Sequence, residues 1–334
     1  LVVKFSSNLS IVARKRYGGS FGDQFIAIVV DSSNNIICAG NTASEGSGVC
    51  SALVVKFTSD LSVIARKIYD GTFADWFRGV AVDSANNIIC VGNTTSEDGS
   101  NGDALVVKFS SDLSTMIARK HYCGASSEYF YGVAVDSSNN IICAGSTASE
   151  GTGGDALVIK FASDLSIIAR KRYGGSGGDQ FIAVTVDSSN NIICAGNTNS
   201  EGAGGTDALV VKFSSDLSTM IARKRYGGTG ADYFNSVAVD SSNNIICAGN
   251  TNSEGAGGID ALIVKFPATY TLSGTITGTI LTGLILADSA LTLADSNLTL
   301  ADSTLTLSNS TLTLADSTLT LGTSALTFEK DTLN

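Results

Sequence analysis

Two kinds of apolar patterning divide this chain. Through about residue 266, short apolar runs alternate with turns made of Asp, Asn, Ser and Gly. One run organises the rest. Asp240-Ser241-Ser242-Asn243-Asn244-Ile245-Ile246-Cys247-Ala248-Gly249 has counterparts beginning at Asp31, Asp83, Asp136 and Asp187, at intervals of 52, 53, 51 and 53 residues. Only the copy at Asp83 varies, with Ala85 and Val91. A fixed period of this size marks a structural repeat, each unit needing its neighbours to bury a face.

Each repeat predicts four strands. In the fifth copy Ser236–Val239 is small and apolar, and 244–249 returns antiparallel after a turn. The Asp and Asn of that turn bond their own backbone and accept left-handed conformations. The third strand is Ala261–Phe266, and the fourth is clearest one copy earlier, at Ile221–Tyr226. Short antiparallel meanders repeated in this way are the signature of propeller blades. A small apolar first strand suits a crowded inner position. A charged fourth strand, Ala-Arg-Lys-Arg-Tyr, suits an outer edge guarded against stray pairing. That order predicts one loop face rich in acid, carrying Glu45, Glu97, Asp98, Glu150, Glu201 and Glu254 with Asp23, Asp75, Glu128, Asp179 and Asp232.

From Leu284 the pattern changes. Leu recurs every seven residues from Leu284 to Leu333, and a second apolar residue follows two positions later, from Leu286 to Phe328. A coiled coil needs apolar residues three and four apart. Two apart places both on one face of a strand. Each heptad therefore predicts a short strand and a corner, the unit of a β-solenoid or an intertwined fibre. Such a tail makes about two to four coils, depending on whether two or three heptads complete a turn, and its edges stay open. Leu284, Leu291, Leu298, Leu305, Leu312 and Leu319 are the predicted assembly residues.

The fold prediction is all-β. A β-propeller of four-stranded blades covers 1–268, with five full repeats and an N-terminal half blade. A short β-solenoid-like heptad-repeat tail covers 269–334 and stacks within or between chains. Six third strands face only five first–second hairpins, so segments 270–274, 275–281 and 282–287 are expected to supply the missing strands and give six blades. Both ends of the sequence read as cut, which suggests a processed product or a segment of a longer protein.

Val239-Asp240-Ser241-Ser242-Asn243-Asn244-Ile245-Ile246-Cys247-Ala248-Gly249-Asn250-Thr251, preceded by Gly227-Gly228-Thr229-Gly230-Ala231-Asp232-Tyr233-Phe234, resembles the bacterial β-propeller repeat family often described as seven-bladed. The Asp, the second Asn, the Gly and the Thr of the family pattern are kept. Asn243 replaces the turn Gly and Ile246 the aromatic. The resemblance covers residues 1 to about 266. It implies an extracytoplasmic or surface propeller and no catalytic residues.

Charge narrows the partners. The formal net charge is -10, which opposes nucleic-acid phosphate and anionic membrane surfaces. No apolar run is long enough for a helical membrane span. Cys38, Cys90, Cys143, Cys194 and Cys247 occupy one repeat position and read as small buried residues. Cys50 and Cys123 fall outside it, and a disulfide between them is a minor alternative.

Repetition itself argues against catalysis, because near-identical units distribute the same groups evenly while a catalytic centre needs unlike groups converging. The single histidine, His121, lies on a predicted outer strand and reads as solvated. Carboxylate-pair glycosidase chemistry is the one enzymatic form the inventory allows, and the expectation is that the chain is not an enzyme. Trp76 stands where other copies have Gln or Tyr, and reads as packing or as a sugar-stacking ring. No cofactor is expected. The single metal candidate is Ca²⁺ at Asn197, Asn199, Glu201 and Asp207, in a Gly-rich loop dense in oxygen.

The sequence therefore predicts an extracellular structural protein, a subunit or segment of a surface fibre that self-associates through unsealed β edges. The alternative is an adhesin or fibre head that binds glycans or a receptor through the acidic loop face.

Overall fold

The computed structural model describes residues 1–46, 50–97, 102–202, 205–255 and 257–268, together with the backbone of seven strands between 284 and 329. Asp98 and the strands expected between 270 and 283 lie outside the described residues. Every regular element among the described residues is a strand.

A hairpin of β1 (Val2–Phe5) and β2 (Ile11–Lys15) opens the chain. Four complete antiparallel meanders follow. The first is β3 (Asp23–Val30), β4 (Ile36–Thr42), β5 (Ser51–Phe57) and β6 (Val63–Tyr69). The second is β7 (Asp75–Val82), β8 (Ile88–Thr94), β9 (Asp103–Phe109) and β10 (Met116–Tyr122). The third is β11 (Glu128–Val135), β12 (Ile141–Thr147), β13 (Asp155–Phe161) and β14 (Ile167–Tyr173). The fourth is β15 (Asp179–Val186), β16 (Ile192–Thr198), β17 (Asp207–Phe213) and β18 (Met220–Tyr226). A three-stranded unit closes the series: β19 (Asp232–Val239), β20 (Ile245–Thr251) and β21 (Asp260–Phe266).

The second and third strands of the complete units are buried along almost their whole length. Their sequences are continuously apolar and not alternating, because a neighbouring sheet covers each face. Phe77, Phe130, Phe181 and Phe234 are fully buried, each meeting a Phe of its own unit edge-on at about 6 Å, as with Phe77 and Phe109 at 6.2 Å. The first strands β3, β7, β11, β15 and β19 touch one another in succession, and no comparable contact joins the fourth strands among the described residues. The units thus fan outward from a shared inner wall.

That inner strand is longer than its sequence suggested, running over Asp232–Val239 and not only Ser236–Val239. The reason is a β-bulge. Phe234 pairs with Gly249 and Ser236 with Ala248, which leaves Asn235 without a partner and hides the strand's period. The same skip falls at Ile26, Arg78, Tyr131 and Ile182. Opposite each bulge stands the Gly of Ile-Ile-Cys-Ala/Val-Gly. A Cβ on Gly92 would lie 1.9 Å from the Trp76 carbonyl oxygen, so only glycine allows the two backbones to approach.

The turns follow from their residues. Asn34, Asn86, Asn139, Asn190 and Asn243 are left-handed, with φ of 60–62°, a conformation Asn tolerates well. Leu61, Leu113, Leu165 and Leu217 are left-handed too, yet only 2–3 % exposed. Burying a leucine gains about 1.5–3 kcal/mol, which exceeds the roughly 1–2 kcal/mol of strain.

The tail pairs differently. β22 (Leu284–Ala287), β25 (Thr304–Ser308) and β28 (Ala325–Glu329) form a parallel ladder, β23 (Ala290–Ala294) pairs with β26 (Thr311–Ala315), and β24 (Asn297–Leu300) with β27 (Thr318–Leu321). Leu284 faces Leu305, which faces Leu326, so the ladder repeats after three heptads. The expectation that 282–287 would complete a blade is therefore corrected at 284–287. A strand whose next identical heptads follow in register finds its hydrogen bonds there.

Candidate functional site

Three sets of side chains tie each unit to the next, and a fourth set breaks the repetition. On the turn face, Asp83 bonds the backbone N–H groups of Ala85 and Asn87 and the Asn87 side chain. Lys108 Nζ sits 3.0 Å from Asp83 Oδ2, with side chains 7 % and 5 % exposed, and donates to the Ser163 carbonyl of the following unit. Lys56–Asp31 and Lys160–Asp136 repeat this bolt. Burial pushes the Asp83 carboxyl up, but Asn87 and Lys108 outweigh it and hold the group below its ordinary range. Alongside, Ser84 N–H donates to Asn139 Oδ1 at 2.9 Å, one rung of a ladder that runs between successive turns.

The opposite face carries a second latch. Tyr69 OH, from the fourth strand of one unit, donates to Glu97 in the loop of the next, and Arg119 Nη1 meets the same carboxylate at 2.6 Å. Tyr17–Glu45–Arg66, Tyr122–Glu150–Arg170 and Tyr173–Glu201–Arg223 are its copies. Burial and the adjoining Glu150 push the Tyr122 phenol up to about 12. The loop glutamates predicted as an open acidic face are thus committed to structure. His121 corrects its solvated reading, because Nε2 lies 2.6 Å from Glu97 Oε2 and joins this latch.

Acids at the starts of inner strands are also corrected. Asp75, Glu128 and Asp232 are 0 % exposed and begin strands, whereas the sequence placed them on a loop face. Their role is to hold the connection: Asp179 Oδ2 accepts from Gly175 N–H at 3.2 Å and Ser200 Oγ at 2.5 Å. Burial raises the Asp75 carboxyl above its usual range.

The inner wall is where the units differ. The second residue of the first strand reads Gln24, Trp76, Tyr129, Gln180, Tyr233, and the bulge residue reads Ile26, Arg78, Tyr131, Ile182, Asn235. Arg78 lies with Cζ 5.5 Å from the Tyr131 ring centre and 6.0 Å from that of Tyr129. Those two rings stack at 6.0 Å and 15°. Arg78 Nε donates to Asn93 Oδ1 at 2.9 Å. All four of Trp76, Arg78, Tyr129 and Tyr131 are half-buried. Of these four, only Trp76 stands out in the sequence by residue type. The missed signal is variation at fixed repeat positions inside units that otherwise match.

The calcium candidates occupy separate settings. Asn197 is 9 % exposed inside β16. The Asn199 N–H bonds the Gly178 carbonyl. Glu201 faces Tyr173, Arg223 and Arg225, and Asp207 begins β17 beside Gly202 and Gly227. Among the described residues no group of three or more His, Cys, Asp or Glu side chains is arranged to hold a metal ion. Leu284, Leu291, Leu298, Leu305, Leu312 and Leu319 all fall in the parallel ladders. None of the seven cysteines forms a disulfide among the described residues, and Cys123 is exposed and Cys50 half-buried. No helix among the described residues is long and apolar enough to cross a membrane.

Residues 223–255 match the model of a family described as beta-propeller repeat. No curated protein sequence matches the chain. Among solved structures, the Neurospora crassa Pan2 WD40 domain is 12% identical with a TM-score of 0.46, covering 72% of this chain and 60% of that one. The chain thus spans less than two thirds of that domain. A glucose dehydrogenase is 10% identical (TM-score 0.44, 72% of this chain and 82% of that chain). PorZ, a surface component of the type-IX secretion system of Porphyromonas gingivalis, is 13% identical (TM-score 0.43, 72% and 34%).

Proposed function

We propose that this chain, which carries β-propeller repeats, is a non-enzymatic structural module of an extracellular or cell-surface assembly. It associates with further copies of itself through the two end faces of its blade series. One observation carries this reading: surfaces that interior junctions cover wholly or in part are open at the ends. Ile263 on β21 is 76% exposed, while its counterpart Val210 on β17 is 4% exposed. Ile28 on β3 is 60% exposed where Val80 on β7 is half-buried. Lys265 repeats the bolt to Asp240, but its side chain is 56% exposed, with no following turn over it among the described residues.

An exposed face built to pack against a blade is best covered by another blade. Head-to-tail contacts between unlike faces generate rings or open filaments. The heptad tail supplies a second element, a β-solenoid-like stack whose terminal strands β26, β27 and β28 each have one neighbour among the described strands. Open parallel edges favour continuation by another copy.

Sedimentation velocity and electron microscopy of the full chain test this. The wild type should form oligomers or filaments, Ile263→Lys and Ile28→Lys should each dissociate them, and removal of 284–334 should shorten them. A monomeric wild type at tens of micromolar, on the order of the concentrations at which weak interfaces populate, would refute the proposal.

A further inference from the structure

The repeat gives an internal control for function. Nearly every residue that holds a unit together recurs in all of them, so a residue that departs from its counterparts is not demanded by the fold. At the bulge, the fold accepts Ile26, Ile182 and Asn235. Arginine there is not a packing requirement. A bulge redirects one side chain out of the strand's alternation, and at β7 and β11 the redirected residues are Arg78 and Tyr131.

Charge sets Arg78 apart from the arginines of the latches. Arg66, Arg119, Arg170 and Arg223 each pair with a loop glutamate. Arg78 has no carboxylate partner among the described residues, in a chain with ten excess negative charges. Its Nε is fixed by Asn93, and its Cζ lies over two stacked tyrosine rings. The guanidinium is therefore held in place, with its terminal N–H groups unpaired among the described residues. Trp76, two residues earlier on the same strand, is half-buried.

We propose that Trp76, Arg78, Tyr129 and Tyr131 form a binding site for an acidic polysaccharide, one whose pyranose rings carry carboxylates. Aromatic faces take the C–H faces of a sugar ring, and a positioned guanidinium takes a carboxylate through paired, charge-assisted hydrogen bonds. This chemistry favours a uronate over a neutral sugar, which would leave the guanidinium without its ion pair. The site is separate from the end faces, so its test and the assembly test fail independently.

Hexameric oligogalacturonate and neutral maltohexaose, titrated calorimetrically into the full chain, decide the matter. The uronate should bind and the neutral oligomer should bind at least about tenfold more weakly, the scale of one hydrogen-bonded charge. Arg78→Gln should weaken uronate binding about tenfold with no change in melting temperature. Tyr131→Phe keeps the ring and should bind as wild type, while Tyr131→Ile, the residue of two sister units, should lose the platform and weaken binding. No uronate binding, equal binding of both oligomers, or unchanged binding in Arg78→Gln would each overturn the site.

Discussion

Lys108→Met isolates the bolt between units. The substitution keeps most of the side chain's length and apolar stem while removing the one cation paired with Asp83 Oδ2 among the described residues, 3.0 Å away. Both side chains are more than nine-tenths buried. Removing one partner of a buried pair costs about 3–5 kcal/mol, because the remaining charge loses its compensation. Asp83 keeps its bonds from Ala85, Asn87 and the Asn87 amide, which places the expected loss near the lower end, about 3 kcal/mol. The Ser163 carbonyl of the next unit also loses its donor, so the loss should spread across the junction.

The pH dependence gives this prediction a second handle. In the folded wild type the Asp83 carboxyl is held below its ordinary value, with Asn87 and Lys108 outweighing burial. Its contribution is therefore present above the unfolded carboxylate pKa of about 3.9 and is lost as pH falls through the lower folded value. Without Lys108 that value must rise, so the variant's deficit should be full at neutral pH and shrink as Asp83 is protonated in acid. Urea denaturation followed by tryptophan fluorescence at neutral pH and near pH 4 measures both. Lys108→Met/Asp83→Asn should recover much of the loss, since the buried charge is gone. Lys265→Met, whose side chain is 56% exposed, should cost far less than Lys108→Met. A deficit at pH 7 below about 1 kcal/mol, the range of surface pairs, or one that does not diminish in acid, would refute the assignment.

Other consequences follow from the same geometry. Gly92→Ala would place a methyl 1.9 Å from the Trp76 carbonyl oxygen and should destabilise by about 3 kcal/mol, read by thermal denaturation; unchanged melting would dismiss the close approach. In native protein a thiol reagent should label Cys123 first and leave Cys90, Cys143 and Cys194 silent until denaturant is added, because burial pushes their thiols well up. Seven reactive thiols under native conditions would contradict this. Glu97→Gln should loosen the Tyr69, Arg119 and His121 latch by about 1 kcal/mol, the scale of a partly exposed ion pair, and should leave uronate binding unchanged; loss of binding would relocate the site to the loop face.

How much of this was legible beforehand depends on whether a feature repeats in kind or only in place. The five copies of Asp-Ser-Ser/Ala-Asn-Asn-Ile-Ile-Cys declare the hairpin, its left-handed Asn and its buried second strand, because each residue type has one physical use there. The tail's spacing declares strands, although the choice of three heptads per ladder step waits for the register Leu284–Leu305–Leu326. The loop glutamates misled for a definite reason. Their partners, such as Tyr69 and Arg119 for Glu97, lie 28 and 22 residues away in sequence, across a junction no local pattern reveals. The bulge was hidden in the same way, since an extra residue cancels the period by which strands are recognised. Its sequence trace is the invariant Gly opposite and the residue that will not stay constant beside it. In a chain built from copies, the constant positions specify the scaffold, and the freedom of Arg78 to differ from Ile26 and Ile182 is what separates use from support.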